Sequence, residues 1–269
     1  MTISDQFTIA LQAFRELEAE IGQRTRDVPA PPAPGFGQTV QDAGPLPADS
    51  LLLGVAADGL PLLLNLYDPA PGPVLVTGDK GCGKTAFLQT LARSSDLMPD
   101  PGEVQFGVIT HAPDEWTEIE ALPGSMGVWP AAHSSAARYL SRLAAWGGHP
   151  HNDGRTAVLL LVDGLDALAL SDSVARQDLR WLLTYGPEHR IWPVATFNAG
   201  RLPRFTTWTE LFGLFIFGYI RQPNLADALT GDTAADLQGL FPGVQFSLHK
   251  PDGWLKFWIP SPGEERSIT

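Results

Sequence analysis

From residue 51 to residue 259 the chain alternates short apolar runs with amphipathic stretches, and this rhythm predicts most of its elements. Residues 51–56 and 60–66 read as two strands around Asp58-Gly59, a dipeptide favoured in hairpin turns. Further strands are expected at 74–77, 104–110, 157–162, 194–197, 212–220, 244–248 and 255–259. Helical spacing of apolar residues appears at 85–93, 135–146 and 173–185. Strands that are apolar at nearly every position, separated by amphipathic helices, predict an α/β fold with a mostly parallel sheet flanked by helices. The last two runs surround Pro251-Asp252-Gly253 and predict an antiparallel hairpin at one sheet edge.

Upstream, Phe7, Ala10, Phe14, Leu17 and Ile21 recur at spacings of three and four behind Ser4, a helix-capping residue type. They predict an amphipathic helix over 4–22, whose stripe has three open destinations: its own domain, a second copy of the chain, or a partner protein. Pro29, Pro31, Pro32, Pro34, Pro45 and Pro47 then alternate with glycines and alanines, which predicts an extended linker. The expected organisation is an N-terminal helical segment over 1–26, a linker over 27–49, one large domain over 50–262 and a tail over 263–269.

Composition narrows the function classes. A chain of 269 residues with 44% hydrophobic and 18% charged residues can bury a core, and it is neither disordered nor fibrous in type. Cys82 has no second cysteine to pair with, which points to a reducing compartment. Residues 1–21 mix Asp5, Arg15, Glu16, Glu18 and Glu20 among apolar positions, unlike a signal peptide. The most apolar window, 211–220, is about half of a bilayer span. A cytoplasmic protein without membrane contact is the expectation. A net charge of −12 gives little support to general nucleic-acid binding, although local contacts stay possible. Two of only four lysines, Lys80 and Lys84, fall in one glycine-rich loop.

That loop, Gly78-Asp79-Lys80-Gly81-Cys82-Gly83-Lys84-Thr85, fits G-x-x-x-x-G-K-[ST] at every fixed position. An apolar strand precedes it and an amphipathic helix beginning with Ala86 follows, the context a phosphate loop requires. Glycines let the backbone curl its N–H groups toward phosphates, and the helix adds its positive end. The expected cradle for ATP is Gly78, Asp79, Lys80, Gly81, Cys82, Gly83, Lys84, Thr85 and Ala86. Lys84 would reach the β- and γ-phosphates, and the Thr85 hydroxyl would ligate Mg²⁺. Lys80 either adds phosphate affinity or sits in solvent. Cys82 is either an oxidisable thiol or a small loop-filling residue.

The apolar run 157–162 ends in Asp163, the expected second Mg²⁺ ligand, with a plain turn before Gly164 as the alternative. Many ATPases place a glutamate directly after this aspartate to align the attacking water, whereas this chain has Gly164. Asp166 either takes that catalytic role or caps the next segment. Asn198, at the end of a later strand, either senses the γ-phosphate and positions water or makes a turn. His149-Pro150-His151-Asn152-Asp153 reads as an exposed loop rather than a metal site. Trp254 and Trp258, four apart in a strand, share one face and read as packing residues.

Several segments together resemble the FtsK/HerA class of P-loop ATPases, including the ATPase modules of type VII secretion proteins. They are Leu52-Leu53-Gly54-Val55-Ala56-Ala57-Asp58-Gly59-Leu60-Pro61, the phosphate loop, Asp163-Gly164-Leu165-Asp166-Ala167-Leu168 and Pro193-Val194-Ala195-Thr196-Phe197-Asn198. Leu229-Thr230-Gly231 and Leu240-Phe241-Pro242-Gly243 extend the likeness to about residue 260. The resemblance implies a RecA-like core, ATP with Mg²⁺ and a ring-shaped homo-oligomer that moves DNA or polypeptide. Arg176, Arg180 and Arg221 are candidate fingers acting in trans or plain surface residues. Two functions therefore stand: an ATPase driving translocation or remodelling in an oligomer, and a hydrolysis-poor nucleotide switch or assembly module engaging a partner protein.

Overall fold

The apolar runs pair as strands: β1 Ser50–Ala56, β2 Pro61–Asn65, β3 Val74–Gly78, β4 Val104–Thr110, β5 Ser125–Pro130, β6 Ala157–Asp163, β7 Ile191–Asn198, β8 Leu214–Phe217, β9 Gln245–Lys250 and β10 Gly253–Trp258. The computed structural model describes residues 35–44, 47, 50–96, 103–149, 156–169 and 173–260. The expected N-terminal helix, the tail over 263–269 and residues 150–153 of the histidine loop lie outside these residues. One ten-stranded sheet runs in the order β2-β1-β10-β9-β8-β3-β7-β6-β4-β5. Every pairing from β8 to β5 is parallel, and every pairing from β2 to β8 is antiparallel.

The main helices are α1 Phe36–Ala43, α2 Lys84–Ser95, α3 Ser134–Gly147, α4 Ser173–Tyr185 and α5 Pro223–Thr230. They explain why the central strands read as unbroken apolar runs. Along β6, Ala157, Leu159 and Leu161 enter one core with Phe87, Leu88 and Leu91 of α2. Their neighbours Val158, Leu160 and Val162 enter another with Leu140 and Leu143 of α3 and Leu179 and Leu182 of α4. A strand covered on both faces has no polar side to show. Trp254 and Trp258 pack as expected, the first edge-on to Phe217 with its Nε1 donating to Asp232, the second against Phe241.

Four features differ from the sequence expectation. The hairpin β9–β10 is not at the edge, because β1 pairs with β10 through Val55–Trp258 and Ala56–Phe257, leaving β2 outermost. Leu51, Leu52 and Leu53 on β1 are buried and demand that interior position. The run 212–220 contributes only Leu214–Phe217 as strand. Beyond it the backbone turns to other partners, with Tyr219 O accepting from Asp79 N–H and Ile220 N–H donating to Leu237 O. The parallel edge strand β5, which includes Gly127 and Pro130, was not among the expected strands. Within the expected linker, the proline-free stretch between Pro34 and Pro45 forms α1.

Helix α2 is fastened to the β9–β10 hairpin by aromatic packing, the Phe87 ring lying 5.2 Å from that of Phe246 and 6.3 Å from that of Phe257. Phe87→Ala should destabilise the protein by about 3–5 kcal/mol. A urea unfolding midpoint unchanged from wild type would show that this cluster does not hold α2 in place.

Candidate functional site

Parallel strands bring their carboxyl ends to one side of a sheet, where the connecting loops meet. Register makes that meeting specific here. Gly78 at the end of β3 lies opposite Asn198 of β7, and Thr110 at the end of β4 lies opposite Asp163 of β6. The loop after β3 then leads into α2, so Lys84 and Thr85 arrive beside Asp163.

Hydroxyls from separate elements converge on the Asp163 carboxylate. Thr85 Oγ1 donates to Oδ2 at 3.0 Å and Thr196 Oγ1 donates to Oδ1 at 2.9 Å. Thr110 Oγ1 approaches Oδ2 more loosely at 3.5 Å. Thr196 Oγ1 also accepts the Gly164 N–H at 2.8 Å, so β7 fixes the turn that follows Asp163. Lys84 Nζ donates to the loop carbonyls of Gly78 and Asp79 at 3.0 and 2.8 Å. These bonds hold the ammonium inside the loop's curl.

Gly83 shows why the loop keeps its glycine. Its φ is +96°, and a Cβ there would stand 2.5 Å from the Gly243 carbonyl oxygen. Cys82 is the small loop-filling residue: it is 1% exposed and its Sγ packs against Gly78 and Gly218. Burial pushes its thiol pKa up, although the Lys84 ammonium beside it pulls the other way. Asp79 ties the loop to the segment after β8, its carboxylate accepting the Arg221 N–H at 2.8 Å.

These elements surround a cavity of about 610 Å³. From the expected set, Lys80, Gly81, Gly83, Lys84, Thr85, Ala86, Asp163, Asp166 and Asn198 line it, while Gly78, Asp79 and Cys82 do not. Lys80 is exposed at the rim. Asp166 is ion-paired with Arg201, which lines the same cavity. Asn198 makes a turn, its Oδ1 accepting the Gly200 N–H at 3.1 Å, and no described residue bonds to its amide nitrogen. Arg176 and Arg180 do not line the cavity, and Arg180 instead lies over the Trp208 ring. Thr110, His111, Glu115, Thr196 and Arg201 are cavity residues that sequence reasoning passed over. The available signal was slight: a polar side chain at or just beyond the end of a parallel strand.

The donor set suits Mg²⁺. A hydroxyl and a carboxylate oxygen 3.0 Å apart are hard ligands, and the described residues hold no group of three or more His, Cys, Asp or Glu that would cage a metal alone. Such a site leaves most positions to phosphate oxygens and water, the usual arrangement for Mg²⁺. A larger cavity of about 750 Å³ beside β5 and α3 contains Trp129, Tyr139, Arg142 and Trp146 and, among the described residues, no lysine and no carboxylate.

The sequence matches no protein-family model, and no curated protein sequence matches it. Solved structures do match. The cytoplasmic domain of the type VII secretion ATPase EccC from Thermomonospora curvata aligns with a TM-score of 0.63 and 16% identity, over 86% of this chain and 28% of that one. EssC ATPases 2 and 3 from Geobacillus thermodenitrificans give 0.65 and 13%, over 88% of this chain and 48% of theirs. The pCW3 conjugation coupling protein TcpA, in monomer form with ATPγS, gives 0.61 and 12%, over 88% and 72% respectively. The chain thus spans well under half of EccC and about half of the EssC fragment. None of the described helices is long and apolar enough to cross a membrane. With its phosphate loop, its parallel strands and these structural matches, the chain has the RecA-like fold of the FtsK/HerA-class P-loop ATPases, the type VII secretion modules included.

Proposed function

We propose that the chain binds ATP with Mg²⁺ in the cavity beneath the phosphate loop and hydrolyses it, driving translocation or remodelling within a cytoplasmic homo-oligomer. The observation that carries this reading is the 3.0 Å bond between Thr85 Oγ1 and Asp163 Oδ2, which joins residues 78 apart in sequence into one divalent-cation site beside Lys84. Nucleotides in structures of the same fold support it: TcpA was solved with ATPγS, and the B204 genome packaging NTPase of Sulfolobus turreted icosahedral virus 2 with AMPPCP, the latter at a TM-score of 0.51.

In this reading Lys84 exchanges its bonds to Gly78 O and Asp79 O for bonds to the β- and γ-phosphate oxygens. The loop from Lys80 to Ala86 receives the phosphates through its backbone N–H groups. Thr85 and Asp163 would hold Mg²⁺, which would neutralise phosphate charge. Thr196 orients the Asp163 carboxylate, and the free amide nitrogen of Asn198 is available to the γ-phosphate. Water attacks the γ-phosphorus in line, and the charge that develops is met by the positioned Lys84 ammonium. The net charge of −12 favours a polypeptide over nucleic acid as the moved substrate. EccC ATPases 2 and 3 have been captured with a signal sequence peptide, which gives that preference a structural precedent. The N-terminal segment 1–26 is the proposed contact for a partner or a second copy.

One observation favours the hydrolysis-poor switch instead. Asp166, the nearest carboxylate after Asp163, is occupied by Arg201 and is not a free base. Phosphate release separates the two readings. Wild type should turn over ATP only with Mg²⁺, and retained ATP binding without turnover would favour the switch. Lys84→Ala should weaken ATP binding by about 10- to 100-fold, the worth of a charge-assisted contact. Unchanged affinity by calorimetry would remove Lys84 from the site. Thr196→Val should leave the fold intact but weaken Mg²⁺ dependence about 10- to 100-fold, since it strips the support from Asp163. A wild-type Mg²⁺ titration would count against that role. Stimulation by DNA or RNA at low salt would overturn the preference for polypeptide.

A further inference from the structure

A side chain is disfavoured at the position after Asp163, where many ATPases place a glutamate. Gly164 has a φ of +97°, a conformation that strains any side chain. A Cβ built there would also stand 2.9 Å from His111 Cδ2 and 3.3 Å from His111 Nε2. The imidazole fills the space into which a residue following Asp163 would project.

His111 is itself exposed, but the chain on either side of it is anchored. Thr110, the last residue of β4, reaches Asp163 Oδ2 with its hydroxyl and accepts the Ala112 N–H on the same oxygen at 3.1 Å. Its carbonyl accepts the Ala131 N–H at 2.8 Å. His111 therefore sits between two anchored neighbours, on the wall of the cavity that also contains Lys84, Thr85, Asp163 and Asn198. No hydrogen bond to its ring is made by any described residue, whereas Asp166 is engaged by Arg201.

We propose that His111 is a catalytic residue that orients the attacking water by a hydrogen bond, in the position a glutamate at 164 would otherwise serve. The inference rests on the ATP-hydrolysis reading above. The water oxygen bonds to the γ-phosphorus as the bond from that phosphorus to the β–γ bridging oxygen breaks. ADP departs with the electron pair, and the water's proton leaves with the released phosphate or passes to solvent. The imidazole keeps its protonation state throughout and acts by aim, as a water-positioning glutamine does in other P-loop hydrolases.

The test uses the full-length chain, with ATP·Mg²⁺ affinity measured by calorimetry and kcat and KM by phosphate release. His111→Ala should lower kcat about 100-fold while Kd stays within about threefold of wild type. His111→Gln, which hydrogen-bonds but does not titrate, should recover kcat to within about tenfold of wild type. Unchanged kcat in His111→Ala overturns the proposal, as does a glutamine variant no better than alanine. A parallel loss of affinity and kcat would mark a structural role and overturn it too. If His111→Ala is active and Glu115→Gln is not, the carboxylate on the same wall is the group at work. A wild type that binds ATP but never hydrolyses it brings down the parent reading and this inference together. Active wild type with active His111→Ala brings down the inference alone.

Discussion

The site depends on one carboxylate being held in a fixed orientation by neighbours that the sheet supplies. Asp163 ends β6, and the threonines that grip it come from α2, from β7 and from β4. A carboxylate free to rotate would be a poor partner for a hard cation, whereas one gripped at both oxygens presents a defined direction. The grip also has a backbone consequence, because Thr196 takes the Gly164 N–H and so shapes the turn that leaves room for His111. The proposed cation site and the gap beside it thus share one cause.

The phosphate loop is supported from the other side of β3. Asp79 bonds to Tyr219 O and to the Arg221 N–H, and Gly83 lies against the backbone of Gly243. The segment after β8 and the turn before β9 therefore buttress the loop without entering the cavity. Their place in the sheet explains why the antiparallel end of the molecule matters for a site built on parallel strands. The β9–β10 hairpin packs its phenylalanines on Phe87, three residues after Lys84, and sets the depth at which α2 begins.

Much of this was legible in the chain because its signals are local. The spans of α2, α3 and α4, most strand positions and the phosphate loop each follow from period or spacing within a dozen residues, whereas α1 and α5 were not expected. What escaped was what depends on pairing. β5 has the Gly127 and Pro130 of a turn and becomes a strand because β4 offers it an open edge. The hairpin β9–β10 has the sequence of an edge element, and only the pairing of β10 with β1 moves it inward.

The same division runs through the site. The sequence by itself marked Lys84, Thr85 and Asp163 as candidates for phosphate and metal chemistry, from glycine spacing and an apolar strand ending in a carboxylate. It left Asp166, Asn198 and Cys82 with two readings each. Tertiary structure decided for Cys82, which is buried filler, and gave Asp166 an arginine partner and Asn198 a turn. It alone brought Thr110, His111, Thr196 and Arg201 to the cavity. The physical reason is register: which side chains share the carboxyl end of a parallel sheet depends on strand order and offset, and neither is written in any single stretch of chain.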